Sequence, residues 1–228
     1  MSKVSFVAVA AGRFPDNELR VEQQFVAPGD GSRVVGRFQQ AIDDLGTNNA
    51  KAMTMALRHL ADLGHQRIGL LLGDRKHHPS VQKHEAAERF FQENHIEHPS
   101  GMTIWTTYGF ESGQIAAMEL IRQGATAIAC ANDQLALGSI RAASVLGLRI
   151  PEDVSIIGFD DSPSMKYMTP SLTTIRQPLP QICRAAVNCL LEPSNNAASV
   201  ARRRIVACPG LVGGAHGCGI EGGAAYGV

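Results

Sequence analysis

The sequence predicts an α/β fold: a parallel sheet with helices on both of its faces. Three observations predict it. From residue 47 onward, short apolar runs alternate with longer stretches whose apolar residues recur at helical spacing. The short runs are almost continuously apolar rather than alternating, as strands covered on both faces require. The 228 residues, 44% hydrophobic and 18% charged, are ordinary for a soluble globular chain and long enough to bury a sizeable core.

The elements follow in order. Thr47, Asn48 and Asn49 supply capping side chains for a helix whose apolar positions are Met53, Ala56, Leu57, Leu60 and Leu63, with Gly64 as its stop. Arg67 to Leu72 reads as a buried strand closed by Gly73. A second helix spans about Ser80 to Asn94 and buries Ala86, Ala87, Phe90 and Phe91. Thr103 to Thr106 is a short strand, followed by a helix around Ser112 to Gln123 and a strand from Thr126 to Cys130. Asp133 to Leu146 is helical, ended by Gly147, with Pro151 barring continuation. Val154 to Phe159 is a further buried strand, ending at Asp160-Asp161. Leu172 to Arg176 reads as a strand, Gln181 to Leu191 as a helix and Arg204 to Ala207 as a last strand.

The two ends differ. Residues 1–45 hold one strand-like run, Val4 to Ala10, a second short one at Val34-Val35, and otherwise polar sequence with Gly and Pro. From Gly210 the chain carries eight glycines in nineteen residues, and residues 213–228 are expected to form a disordered tail. The expected division is therefore 1–45, a remnant of a lobe or an unrelated segment, then 46–212 as the main domain, then the tail.

Composition narrows the function classes. Twenty-one basic and 21 acidic residues balance to a net charge of zero, and Arg202-Arg203-Arg204 is the one basic run, so the chain lacks the footprint of a self-sufficient nucleic-acid binder. No apolar stretch reaches the ~20 residues of a membrane helix, and the start is too brief for a secretion signal. Five cysteines, odd in number and without C-x-x-C spacing, read as reduced thiols of a cytoplasmic protein. The histidines His77, His78, His84, His95 and His98 lack H-E-x-x-H or Cys-His spacing, so no metal site is expected. Nucleophile-elbow, P-loop and dinucleotide motifs are all absent, which leaves no cofactor and no catalytic set to name.

In parallel α/β sheets, ligands bind outside the carboxyl ends of the strands. The residues to weigh are thus the turn after Gly73, the Tyr108 region, Asn132-Asp133 and Asp160-Asp161.

Four segments in register sharpen this: Leu60–Gly69 (LADLGHQRIG), Ala131–Gly138 (ANDQLALG), Ile150–Asp161 (IPEDVSIIGFDD) and Thr169–Pro178 (TPSLTTIRQP). Across residues 46 to about 212 the chain resembles the effector-binding domain of the lactose/galactose repressor (LacI/GalR) family of transcription regulators. That resemblance implies two α/β lobes like those of a periplasmic sugar-binding protein, with an effector cleft between them, and a dimer. Family members start with a helix-turn-helix head and a hinge helix. Both are expected to be missing from this chain, along with most of the first lobe, so operator DNA would be reached only through a head absent here.

The resemblance implies roles for six residues, each with a plainer alternative. Asp160 stands where the family holds a sugar hydroxyl with a carboxylate, or it is a turn residue. Asn132 occupies a ligand-contacting position, where an amide donates and accepts at once, or it caps a helix; Asp133 is assigned to capping and Asp161 to structure. Tyr108 offers a ring to stack on a sugar face or a base, or packs on the core. Lys83 replaces an arginine that points into the cleft, exchanging a planar fork for a point charge. His77 lines the same turn as Pro79, and Gln177 lies at the cleft edge or satisfies backbone groups. The function expected is sensing of a sugar-like or nucleoside-like effector in a regulator; a truncated non-functional remnant and a transport-type sugar receptor are the alternatives.

Overall fold

Apolar residues three and four apart, bounded by glycine and proline, set the elements of the computed structural model, in which residues 46–168, 171–180, 182, 206–207 and 210–212 are described. A two-residue strand, β1 (Gly46–Thr47), precedes α1 (Asn49–Asp62), which buries Ala52, Met53, Ala56, Leu57 and Leu60. Gly64 follows at φ +91, a left-handed backbone that glycine takes without steric cost. Next come β2 (Ile68–Leu72), buried at every residue, and α2 (His78–Glu93), which begins two residues before the sequence-based start because Pro79 fits the first turn of a helix. The rest are β3 (Thr103–Trp105), α3 (Phe110–Arg122), β4 (Ala127–Cys130), α4 (Asp133–Val145), β5 (Ser155–Asp160), β6 (Thr173–Arg176), β7 (Val206–Ala207) and β8 (Gly210–Val212).

The described residues fall into two compact units. The larger contains 49–168, 171–177 and 210–212, and is built on a six-stranded sheet in the order β3-β2-β4-β5-β6-β8. Its first five strands run parallel, and β8 pairs antiparallel with β6 through Thr174↔Val212 and Arg176↔Gly210. The chain steps from β2 outward to β3, then returns past β2 to β4. Right-handed crossovers in opposite directions put α2 and α3 on opposite faces, where α1 packs with α2 and α3 with α4. The sheet thereby reverses its winding between β2 and β4. The smaller unit contains 46–48, 178–180, 182 and 206–207, and its two short strands β1 and β7 pair in parallel.

The core of the larger unit is aliphatic: Leu57, Leu60, Leu70, Leu71, Leu72, Leu120, Ile128 and Leu135 are shut from solvent, with Phe90 and Phe159. Where α3 crosses α4, the helices approach so closely that a Cβ on Gly138 would lie 2.2 Å from the Phe110 carbonyl oxygen, and one on Gly113 2.8 Å from that of Leu135. The glycine-rich stretch from Gly210 opens with a strand that the sequence pattern does not signal, within the expected main domain, since a sheet edge accepts backbone pairing whatever the side chains. One expectation needs correction. The start of α4 is capped by Asn132 and not by Asp133, as set out below. The strands expected at Val4–Ala10 and Val34-Val35, the helix over 181–191 apart from Ile182, and the tail 213–228 lie outside the described residues.

Candidate functional site

Parallel strands bring their following turns to one end of the sheet. All six candidate residues stand there: His77 and Lys83 after β2, Tyr108 after β3, Asn132 after β4, Asp160 at the end of β5 and Gln177 after β6. The crevice between β2 and β4, where the winding reverses, is the point at which such sheets bind ligands.

Asp160 is the most constrained of the six. It sits at φ +127 and its neighbour Asp161 at φ +59, a pair of non-glycine residues in conformations that L side chains seldom take. The Gln177 amide donates to the Asp160 carboxylate, and Arg176 forms a salt bridge with Asp161. Burial pushes the Asp160 carboxyl up to about 6; the Gln177 hydrogen bond and the Lys83 charge oppose the rise, and the Asp133 charge adds to it.

Lys83 is 4% exposed, so the long side chain that sequence reading placed in the site runs beneath it. Its ammonium donates to the Ala131 carbonyl at 2.9 Å and lies 3.6 Å from the centroid of the Phe159 ring. A cation over a ring face is held by the ring's quadrupole. Burial pulls the ammonium down to about 8, with Asp160 opposing. Lys83 thus spans the β2–β4 crevice from α2 to the end of β4, a position that no local sequence signal reveals.

Tyr108 and His77 form an aromatic wall. Their rings stack at 5.8 Å with planes 7° apart, and the Tyr108 hydroxyl shares a hydrogen bond of 2.9 Å with Ser80. Tyr108 remains 37% exposed. Gly73 makes room for it: a Cβ there would lie 2.3 Å from the tyrosine Cζ. Ser80 went unrecognised in the sequence; it lies three residues before Lys83 on α2, hence on the same helix face.

Asn132 caps α4, its side-chain oxygen accepting from the Leu135 backbone N–H at 2.9 Å, and the bond leaves the Nδ2 amide group for a ligand. Asp133, assigned to capping by sequence, instead turns into the interior. It is 1% exposed and accepts from the Ser162 N–H at 2.7 Å and the Thr174 hydroxyl at 2.6 Å. Its partners are 29 and 41 residues away, beyond the reach of local pattern.

The histidines serve separate local roles among the described residues. His98 stacks on Phe91 at 4.2 Å, His84 tilts against Trp105, and His65 bridges the hydroxyls of Thr126 and Ser155. The described residues hold no grouping of three metal-ligating side chains, and none of their helices is long and apolar enough to cross a membrane. A surface cavity of about 270 Å³ lined by Gln66, Arg67, His95, Glu97, Pro99 and Met102 lies by the amino ends of β2 and β3, opposite the candidate residues.

Comparison with known proteins adds the following. Residues 57–215 match the periplasmic binding protein-like domain. The HTH-type transcriptional regulator reg1 of Streptomyces lividans is 44% identical over 158 residues, 65% of this chain and 44% of the relative. The HTH-type transcriptional repressor PurR of Klebsiella pneumoniae is 30% identical over 196 residues, 83% of this chain and 57% of the relative. The chain thus spans about half the length of these curated relatives. Among solved structures, the lac repressor dimer bound to operator and the anti-inducer ONPF aligns at a TM-score of 0.64 with 26% identity, covering 75% of this chain and 59% of that one. A LacI family regulator from Mycobacterium smegmatis aligns at 0.65 with 25% identity, covering 75% and 64%.

Proposed function

Since this chain belongs to the periplasmic binding protein-like domain family, in the form carried by LacI-type transcriptional regulators, we propose that it senses a sugar-like or nucleoside-like effector at the carboxyl ends of β2 to β6. The observation that carries this reading is the convergence there of a desolvated carboxylate, a free amide group and an exposed aromatic face. Asp160 accepts from two effector hydroxyls, Asn132 donates through Nδ2, and Tyr108 with His77 stacks on an apolar ring face. Gln177 orients Asp160 from the cleft edge. Lys83 neutralises Asp160 from below rather than touching the effector, which accounts for a lysine where the family resemblance implies an arginine.

In this reading the chain acts in the cytoplasm as a homodimer, and operator DNA is read through a helix-turn-helix head rather than through this sheet. The test is isothermal titration of the purified chain with a panel of monosaccharides, disaccharides, nucleosides and purines. Saturable one-site binding of a panel member, lost in D160N, is the expected result; heats of dilution for every compound would overturn the reading. Sedimentation velocity tests the assembly, with a dimer expected and a monomer at high micromolar concentration ruling it out.

A further inference from the structure

Asp133 does not cap α4, has no place among the effector contacts, and is nonetheless a buried carboxylate with two charge-assisted hydrogen bonds. We propose that Asp133 is the positioning residue of this site: it fastens the turn that presents Asp160 to the start of the helix that presents Asn132. The inference rests on the reading of Asp160 and Asn132 as effector contacts.

The geometry carries it in three steps. First, the turn needs holding. Two successive non-glycine residues at φ +127 and +59 persist only when their surroundings over-determine them. Second, the holding groups are few. Gln177 grips Asp160, and Arg176 grips Asp161 through a side chain 60% exposed, so both come from the end of β6. The Ser162 N–H bond to Asp133 comes from a different element, and its acceptor is a carboxylate only 1% exposed, so it ties the turn to a fixed point in the interior. The second carboxylate oxygen takes the Thr174 hydroxyl, which locks the carboxylate plane against β6. Third, β5 is shaped around this carboxylate. A Cβ on Gly158 would lie 2.5 Å from Asp133 Oδ1, so a glycine in mid-strand leaves the room it occupies. Asp133 is the residue after Asn132, so the same fastening sets the distance between the effector's carboxylate and amide partners. A carboxylate in the first turn of α4 also meets the positive end of the helix dipole.

The experiment compares the full chain with D133N and with T174V, the second keeping the Ser162 tether while removing the hydroxyl that donates to the other carboxylate oxygen. Amide hydrogen exchange is followed residue by residue, and the Asp160 carboxyl is titrated by ¹³C NMR. An asparagine cannot accept both donors, because one of its two positions is itself an NH₂ group. In D133N, exchange at Ser162 and the turn 160–162 is expected to rise at least tenfold while β2 and β4 stay unchanged, and the Asp160 midpoint is expected to fall toward the ordinary carboxylate range. T174V should move both readouts the same way but less. Unchanged exchange in the turn, or a rise shared equally by β2 and β4, overturns the proposal, the latter because it marks a residue needed only for folding. Neither readout requires a ligand, so the proposal is decided separately from the effector reading. Where a panel compound binds, D133N should weaken it about tenfold or more.

Discussion

Replacing Asp160 by asparagine separates the cost of this carboxylate from its use. Unfolded, the group loses its proton near 3.8; folded, it holds it to about 6, chiefly because burial disfavours the charge. Between those two values the folded chain carries a proton that the unfolded chain has released, so stability falls as pH rises through the window. At 1.36 kcal/mol for each tenfold change in proton affinity, the full difference is about 3 kcal/mol. Partial exposure of the side chain screens it, so about 2–3 kcal/mol is expected between pH 4 and 7. D160N cannot titrate, and its side-chain oxygen can still accept from Gln177. Its stability relative to the wild type should therefore grow by about that amount as pH is raised from 4 to 7, with most of the gain below pH 6. The assay is urea unfolding of both proteins at half-unit intervals of pH, compared as a difference so that His59, His65 and His98 cancel. The same substitution should abolish effector binding. A difference curve flat from pH 4 to 7 would refute the reasoning, because it would mean the carboxylate is solvated in the folded chain.

Three further substitutions test other parts of the account. K83M should remove a rise in stability of about 2 kcal/mol between pH 7.5 and 10: above its folded value of about 8, Lys83 gives up a proton that the unfolded chain keeps to 10.5. Urea midpoints at those two pH values check it, and an undiminished rise in K83M would assign the effect to another group. G138A should destabilise the chain by about 3 kcal/mol, since its new methyl would meet backbone atoms of α3 at 2.2 and 2.6 Å that no rotamer change can move; a loss within experimental error would contradict the close crossing. N132A should cost about 1 kcal/mol through the lost cap on α4 and should also remove effector binding, whereas retention of full affinity would leave Asn132 as a cap alone.

Much of the architecture was legible because burial on both faces leaves a plain mark on a strand. Leu70-Leu71-Leu72 and Ile128-Ala129-Cys130 are apolar throughout since helices cover both sides of them. The ends of α2 and β5 were placed within about two residues, because Pro79 and the Asp160-Asp161 pair punctuate the pattern. β8 was hidden by its shortness and by the glycine-rich sequence it opens: its place depends on backbone pairing with β6, not on side-chain periodicity.

The site divides along the same line. Position at a strand end is a property of topology, so the turn after Gly73, the Tyr108 region, Asn132 and Asp160 could be named from the order of elements, whereas His77, Lys83 and Gln177 were singled out by the family resemblance. Orientation depends on distant partners and could not be read in that way. Asn132 and Asp133 are adjacent residues with similar capping power, and only Ser162 and Thr174 decide that the aspartate turns inward. Lys83 reads as a cleft-lining cation until the Phe159 ring and the Ala131 carbonyl appear beside it. Gly113 and Gly138 carried a signal that went unread, since two glycines inside helices imply a close approach of backbones.

The central claim is that the effector binds at the carboxyl ends of the strands, on Asp160 and its neighbours. The most direct test is amide chemical-shift mapping of the ¹⁵N-labelled chain with the panel compound that most raises its melting temperature. The account predicts saturating shifts at Gly73, His77, Tyr108, Asn132, Asp160 and Gln177, and none around Gln66, His95 and Met102 at the other end of the sheet. Shifts concentrated around that opposite cavity, with Asp160 and Asn132 unmoved, would contradict it.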